Sequence, residues 1–122
     1  MTLELEGLTK VYKDKTALDD VSFSFTPGIY GLLGPNGAGK STMMNLISDN
    51  LTPSKGRVLL DGRGIDELGS EYRMLLGYMP QQQNIYPELS LRRFLYFMAS
   101  LKGLKKSEAG EDIDHYVRMV KL

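Results

Sequence analysis

The sequence predicts an α/β fold in which an antiparallel β portion leads into a buried strand, a glycine-rich phosphate loop and a helix, with further helices behind. Three observations carry this reading. Gly34 to Ser41 place two glycines with four residues between them, followed at once by Lys40 and Ser41, the Walker A pattern of a P-loop. Upstream, Val21, Phe23 and Phe25 alternate with Ser22 and Ser24, the period of a half-buried strand. From Ser90 onward the apolar positions change to helical spacing. The boundary drawn from these signals divides residues 1–89, a nucleotide-binding core with its antiparallel portion, from residues 90–122, the start of a helical subdomain.

Taken in order, Leu3, Leu5 and Leu8 with Val11 predict a first half-buried strand, and Val21 to Phe25 a second. Pro27 and Gly28 interrupt the chain before Ile29 to Leu33, an apolar run suited to a strand covered on both faces. Ser41 to Ser48 carries Met43, Met44, Leu46 and Ile47 and predicts a helix against the sheet. A turn around Pro53 leads to a strand over Arg57 to Leu60 that ends at Asp61 and Gly62, and a further apolar run, Leu75 to Met79, stops at Pro80. Ser90 is placed to cap a helix bearing Leu91, Phe94, Leu95 and Met98, with Gly103 as its stop. Ser107 is the expected cap of a last helix with Ile113, Tyr116, Val117 and Val120 on one face.

Composition narrows the function classes. The 122 residues suffice for one modest core or for part of a larger module. Fifteen basic and fifteen acidic side chains cancel, so no net field draws the chain to nucleic acid or an anionic membrane, and no nucleic-acid partner is expected. Without cysteine there is no disulfide framework and no thiolate metal site. Met1 to Gly7 lacks the basic start and apolar run of a secretory signal. Phe94 to Leu101 is far shorter than the roughly 20 residues that cross a bilayer, so membrane-spanning helices would have to come from another chain.

The chemistry centres on Gly34, Pro35, Asn36, Gly37, Ala38, Gly39, Lys40, Ser41 and Thr42. A polyphosphate is bound where several backbone N–H groups converge, and the glycines let the chain turn through positive φ and approach the oxygens closely. Lys40 is expected to reach the β- and γ-phosphates, Ser41 to ligate magnesium, and the helix to present its positive end. The bland alternative is a glycine turn that binds nothing; the predicted strand before the loop and helix after it speak against that.

The wording of the loop, GPNGAGKST, resembles that of ATP-binding cassette (ABC) ATPases, and the resemblance covers the front half of that family's module. It implies an ABC-type P-loop core with ATP and Mg2+ as ligands. It also implies an adenine-stacking role for Tyr12, in the segment TKVYKD; the residues alone leave a half-buried strand tyrosine equally open. In LGYMPQ, Gln81 resembles the glutamine that offers its carbonyl to magnesium and senses the γ-phosphate, while Gln82 and Gln83 keep a polar surface loop open as the alternative. Asn84 to Ser90 resembles the region that meets a permease, although its aromatic neighbours Tyr86, Phe94 and Tyr96 suit a helical core equally well.

Several parts of the family pattern are not found. Asp61 is the sole candidate for a Walker B aspartate, but Gly62 stands where the catalytic glutamate would follow, and Val58 to Gly62 reads as a strand and turn of the antiparallel portion. His115 lies among Asp112, Asp114 and Arg118 on the last helix, the setting of a solvated histidine. The signature sequence is missing too, so the cassette is expected to be truncated before signature and Walker B, with no catalytic residue assigned. The family resemblance implies the ATPase component of a membrane transporter, with a drug, antibiotic or peptide exporter as the nearest wording. It would be held at the cytoplasmic face of the membrane by a polytopic permease subunit and closed head-to-tail by a second cassette. This chain alone is expected to bind ATP with negligible turnover. The alternatives are a soluble ABC-type ATPase acting on ribosomes or DNA, a small P-loop kinase or GTPase, and a non-catalytic remnant.

Overall fold

The computed structural model describes residues 1–81 and 86–121. These form two compact units, Met1–Tyr78 and Met79–Leu122.

The first unit is built on an antiparallel sheet. Strand β1 (Leu3–Tyr12) pairs with β2 (Lys15–Phe25) as a hairpin and, on its other edge, with β3 (Lys55–Leu60). A two-residue strand β4 (Arg63–Gly64) closes the order β2-β1-β3-β4. The leucine spacing of β1 departs from period 2 because the register shifts between Leu5 and Leu8, so both still reach the core, at 2% and 0% exposure. Asp61 and Gly62 join β3 to β4 with φ of 48° and 78°, the paired positive values that suit an Asp-Gly hairpin turn. Asp61 is further engaged by the amide of Thr2, which donates to its carboxylate at 2.6 Å.

Helices α1 (Lys40–Ile47), α2 (Ile65–Leu68) and α3 (Ser70–Leu75) complete the unit. Leu46 of α1, Ile65 of α2 and Tyr72 of α3 close the core over Leu5, Leu8, Leu18, Val58 and Leu60. Burying each leucine side chain contributes about 1.5–3 kcal/mol, which makes this cluster the main source of stability in the unit.

One expected strand does not form. Ile29 to Leu33 is irregular, with Ile29 and Leu33 fully exposed, and Leu76 to Pro80 is likewise irregular, Leu75 having been drawn into the end of α3. A strand covered on both faces needs ladder partners. Among the described residues the sheet ladders join β1 to β4 alone. What takes the place of a closed core here is an open apolar groove of about 680 Å³, walled by Val21 and Phe25 of β2, Tyr30 and Leu32 of the unpaired run, Met43 of α1, and Leu76.

The second unit is a helical hairpin of α4 (Leu91–Leu101) and α5 (Lys106–Met119). Ser90 caps α4 as expected, its hydroxyl accepting from the Arg93 amide at 3.4 Å. At the other end Leu104 N donates to Ala99 O at 3.1 Å as the chain turns at Gly103. Helix α5 starts earlier than the expected Ser107 cap: Lys105 is the N-cap, and the Glu108 carboxylate reaches back to accept from its amide at 3.1 Å. A glutamate at the third helical position satisfies that orphan donor and stabilises the first turn, so the start moves forward. Ala109 and Ile113 are buried, and Arg92 bridges to Asp114 at 2.6 Å.

Candidate functional site

The glycine loop ends where α1 begins. Gly37 and Gly39 have φ of 85° and 84°, and Gly39 is the N-cap of the helix. A Cβ on Gly39 would run into the Ala17 carbonyl oxygen and stand 3.2 Å from Leu18 Cδ1. The loop is therefore seated on the backbone of β2, and glycine is required there for both conformation and space. Within the loop, Ala38 N donates to Pro35 O at 3.3 Å, and Met43 N donates to Gly39 O at 2.8 Å as the first helical turn closes.

No side chain caps α1 and its first turn carries no acidic residue, so its leading N–H groups are left facing outward with the positive end of the helix dipole. Lys40 bends back over the loop, its ammonium donating to Gly34 O and Pro35 O at 2.7 Å each. The charge is held across the loop by two carbonyls. Ser41 is exposed on the first turn and Thr42 is half-buried. Chemically the arrangement offers an anion the uncapped N–H groups of the first helical turn, the Lys40 charge and a hydroxyl beside it.

A magnesium ion fits this donor set as a partner of bound phosphate. Among the described residues no group of three His, Asp or Glu side chains could hold a metal. Magnesium habitually keeps several waters and takes one or two protein ligands alongside phosphate oxygens, a role open to the Ser41 hydroxyl.

Tyr12 ends β1 as a 45% exposed residue, with the Lys10 ammonium 5.4 Å from the centre of its ring. It pairs with Lys15, two residues along β2 from the Ala17 carbonyl on which the loop rests. One end of the hairpin thus carries both the aromatic face and the seat of the loop. Gln81 lies in the second unit, exposed, in a bend. Its neighbours Gln82 and Gln83, with Asn84 and Ile85 of the expected permease-facing stretch, lie outside the described residues. Tyr86 stacks within the helical unit, 6.2 Å from each of the Phe94 and Phe97 rings. His115 is exposed on α5.

Sequence reasoning passed over the groups that hold the far end of α1. Tyr72 donates its hydroxyl to Ile47 O at 2.5 Å, and Arg73 meets the Asp49 carboxylate at 2.5 Å. Tyr78 donates to Asn45 Oδ1 at 3.2 Å. Burial first, and the Asp49 charge second, push the Tyr72 phenol above its ordinary pKa. No motif marks Tyr72 or Arg73, and the LGYMPQ segment that holds Tyr78 does not point to Asn45, since each contact joins positions more than twenty residues apart.

Sheet, glycine loop and helix in this order define a P-loop α/β protein of the cassette type. The chain belongs to the ABC transporter family, whose model matches residues 18–122. It is 38% identical over 112 residues to the Escherichia coli protein named "Probable multidrug ABC transporter ATP-binding protein YbhF", covering 91% of this chain and 19% of that one. It is 36% identical over 108 residues to the Bacillus subtilis "Linearmycin resistance ATP-binding protein LnrL", covering 88% and 35% respectively. Among solved structures, the ATP-binding cassette MJ0796, a dimer in a post-hydrolysis state bound to ADP and Pi, aligns with a TM-score of 0.79 at 26% identity. That alignment takes in 98% of this chain and 57% of the solved one. The chain therefore spans well under half the length of these curated relatives and just over half of that structure.

Proposed function

We propose that the chain binds ATP with magnesium as the front part of a cassette that powers transport across a membrane. The observation that carries the reading is the loop seated on β2, with Lys40 folded over its own carbonyls and the uncapped amides of α1 behind it. Gly34 to Gly39 cradle the phosphates, Lys40 exchanges the Gly34 and Pro35 carbonyls for phosphate oxygens, and Ser41 and Thr42 extend the donor set from the first turn. Ser41 is a protein ligand of magnesium, and for Gln81 the same role rests on the resemblance of LGYMPQ alone. Tyr12 stacks on adenine.

In this reading a permease supplies the membrane-spanning helices, since no helix among the described residues is long and apolar enough to cross a bilayer. It holds the cassette at the cytoplasmic face. A second cassette completes the ATP site, as the dimeric MJ0796 cassette suggests. Export of a drug, antibiotic or peptide is the direction favoured by the names of the multidrug and linearmycin-resistance relatives. With no catalytic glutamate assigned among these residues, the 122-residue chain binds ATP and does not turn it over.

Calorimetric titration of the purified chain with ATP and magnesium, beside a phosphate-release assay, tests this directly. Binding without release is expected. A folded sample that binds no ATP would overturn the proposal.

A further inference from the structure

The ammonium of Lys10 is held from two sides. It donates to Thr52 O at 2.7 Å and stands 5.4 Å from the centre of the Tyr12 ring. The turn that supplies Thr52 is itself stitched to β1 on either side of Lys10, since Ser54 N donates to Thr9 O at 2.8 Å and Val11 N donates to the Ser54 hydroxyl at 3.0 Å. The lysine therefore reaches a carbonyl whose place beside the strand is set by two further bonds. Among the described residues no other cation, ring or hydrogen-bonding group meets the Tyr12 side chain.

An aromatic ring has two faces, and the electron-rich face under a cation is held to it electrostatically. On Tyr12 that face is taken by Lys10, which leaves the opposite one for a base. The same end of the hairpin seats the phosphate loop. Lys10 pairs with Leu18 and Val11 with Thr16, so Ala17 is an extra residue on β2, and its carbonyl is the one on which Gly39 rests. All of these residues belong to the first unit. We infer that Lys10, anchored on Thr52, is a positioning residue that fixes the Tyr12 ring and directs the base of a bound nucleotide onto its opposite face. The inference rests on the reading of Tyr12 as the base-stacking residue.

The test measures affinity for ATP and for inorganic triphosphate, each with magnesium, by calorimetric titration of the parent chain, Lys10→Met, Lys10→Arg, Tyr12→Ala and the double variant of Lys10→Met with Tyr12→Ala. Lys10→Met keeps the apolar stem and removes the charge. It is expected to weaken ATP about twofold to fivefold, the range of one exposed cation–π contact, while triphosphate affinity holds. Lys10→Arg keeps a cation over the ring and is expected to retain the parent's affinity for ATP. In the Tyr12→Ala background Lys10→Met is expected to add no further loss. An unchanged ATP affinity in Lys10→Met overturns the inference. So does an equal loss for triphosphate or a further loss in the Tyr12→Ala background, either of which marks a role at the phosphates or in the fold at large. The contact is read separately by fluorine NMR of the nucleotide-free chain labelled with 3-fluorotyrosine, the Tyr12 signal being assigned by its disappearance in Tyr12→Phe. Lys10→Met shifts that signal if the ammonium holds the ring, and an unmoved signal refutes the contact. A Tyr12→Ala chain that binds ATP as tightly as the parent overturns the stacking reading, and the positioning role with it. A loss in Tyr12→Ala beside none in Lys10→Met overturns the positioning role alone, and a parent chain that binds no ATP overturns both.

Discussion

Lys40 donates to two carbonyls of its own loop, so a bound polyphosphate must offer it better acceptors than neutral backbone oxygens. Charge-assisted bonds to phosphate are about twice as strong as neutral ones. Lys40→Ala is expected to weaken ATP binding by about 10- to 100-fold in a calorimetric titration, from the roughly 1.5–3 kcal/mol of a bond to a charged group. Tyr12→Ala is expected to weaken ATP more than inorganic triphosphate, because stacking acts on the base alone; equal losses would remove Tyr12 from the site. Gly39→Ala faces both a left-handed backbone and the Ala17 carbonyl. It is expected to cost about 1–3 kcal/mol of stability, visible as a lowered melting temperature. The turn of the loop was legible in the sequence because its glycines and the helix start that follows lie within nine adjacent positions. Its seat on Ala17 and Leu18 was not, because nothing in their side chains announces a neighbour some twenty residues away.

At the scale of elements, the parts read correctly were those whose causes lie close in the chain. The serine cap of α4 and the Asp61–Gly62 turn each follow from a few adjacent residues, whereas of the alternating Val21, Phe23 and Phe25 of β2 the middle one stands 50% exposed. The expected strand at Ile29 to Leu33 was read from apolar character, which records a wish for cover without supplying the partner. Helix α1 shows the long-range side of the same lesson, since Tyr72 holds its last turn through the Ile47 carbonyl. Tyr72→Phe is expected to destabilise the first unit by about 1 kcal/mol in chemical denaturation. The pH dependence has a definite sign. Burial raises the Tyr72 pKa in the folded chain, so its contribution is complete below pH ~10, where both states keep the proton. Above that the unfolded chain ionises first and stability falls as pH rises. Stability measured from pH 9 to 11 is expected to decline more steeply in the parent than in Tyr72→Phe.

For the molecule as a whole, family membership was legible because the loop wording and its flanks are family text, and the matched region runs from residue 18 to residue 122. The open groove was not legible, for a sequence lists apolar residues without saying which of them find cover. A face walled by Phe25, Tyr30, Met43 and Leu76 is expected to bind the dye ANS in the native state, with fluorescence well above that of a protein of equal length with a closed core. The same groove has a thermal signature. Unfolding normally raises heat capacity by about 12–15 cal/mol/K per residue, or about 1.5–1.8 kcal/mol/K for a chain of 122 residues, because buried apolar surface becomes hydrated. Here a part of that hydration already exists in the folded chain, in the apolar lining of the groove. Scanning calorimetry should therefore find a smaller increment, and a stability curve flatter with temperature than the length of the chain alone would give.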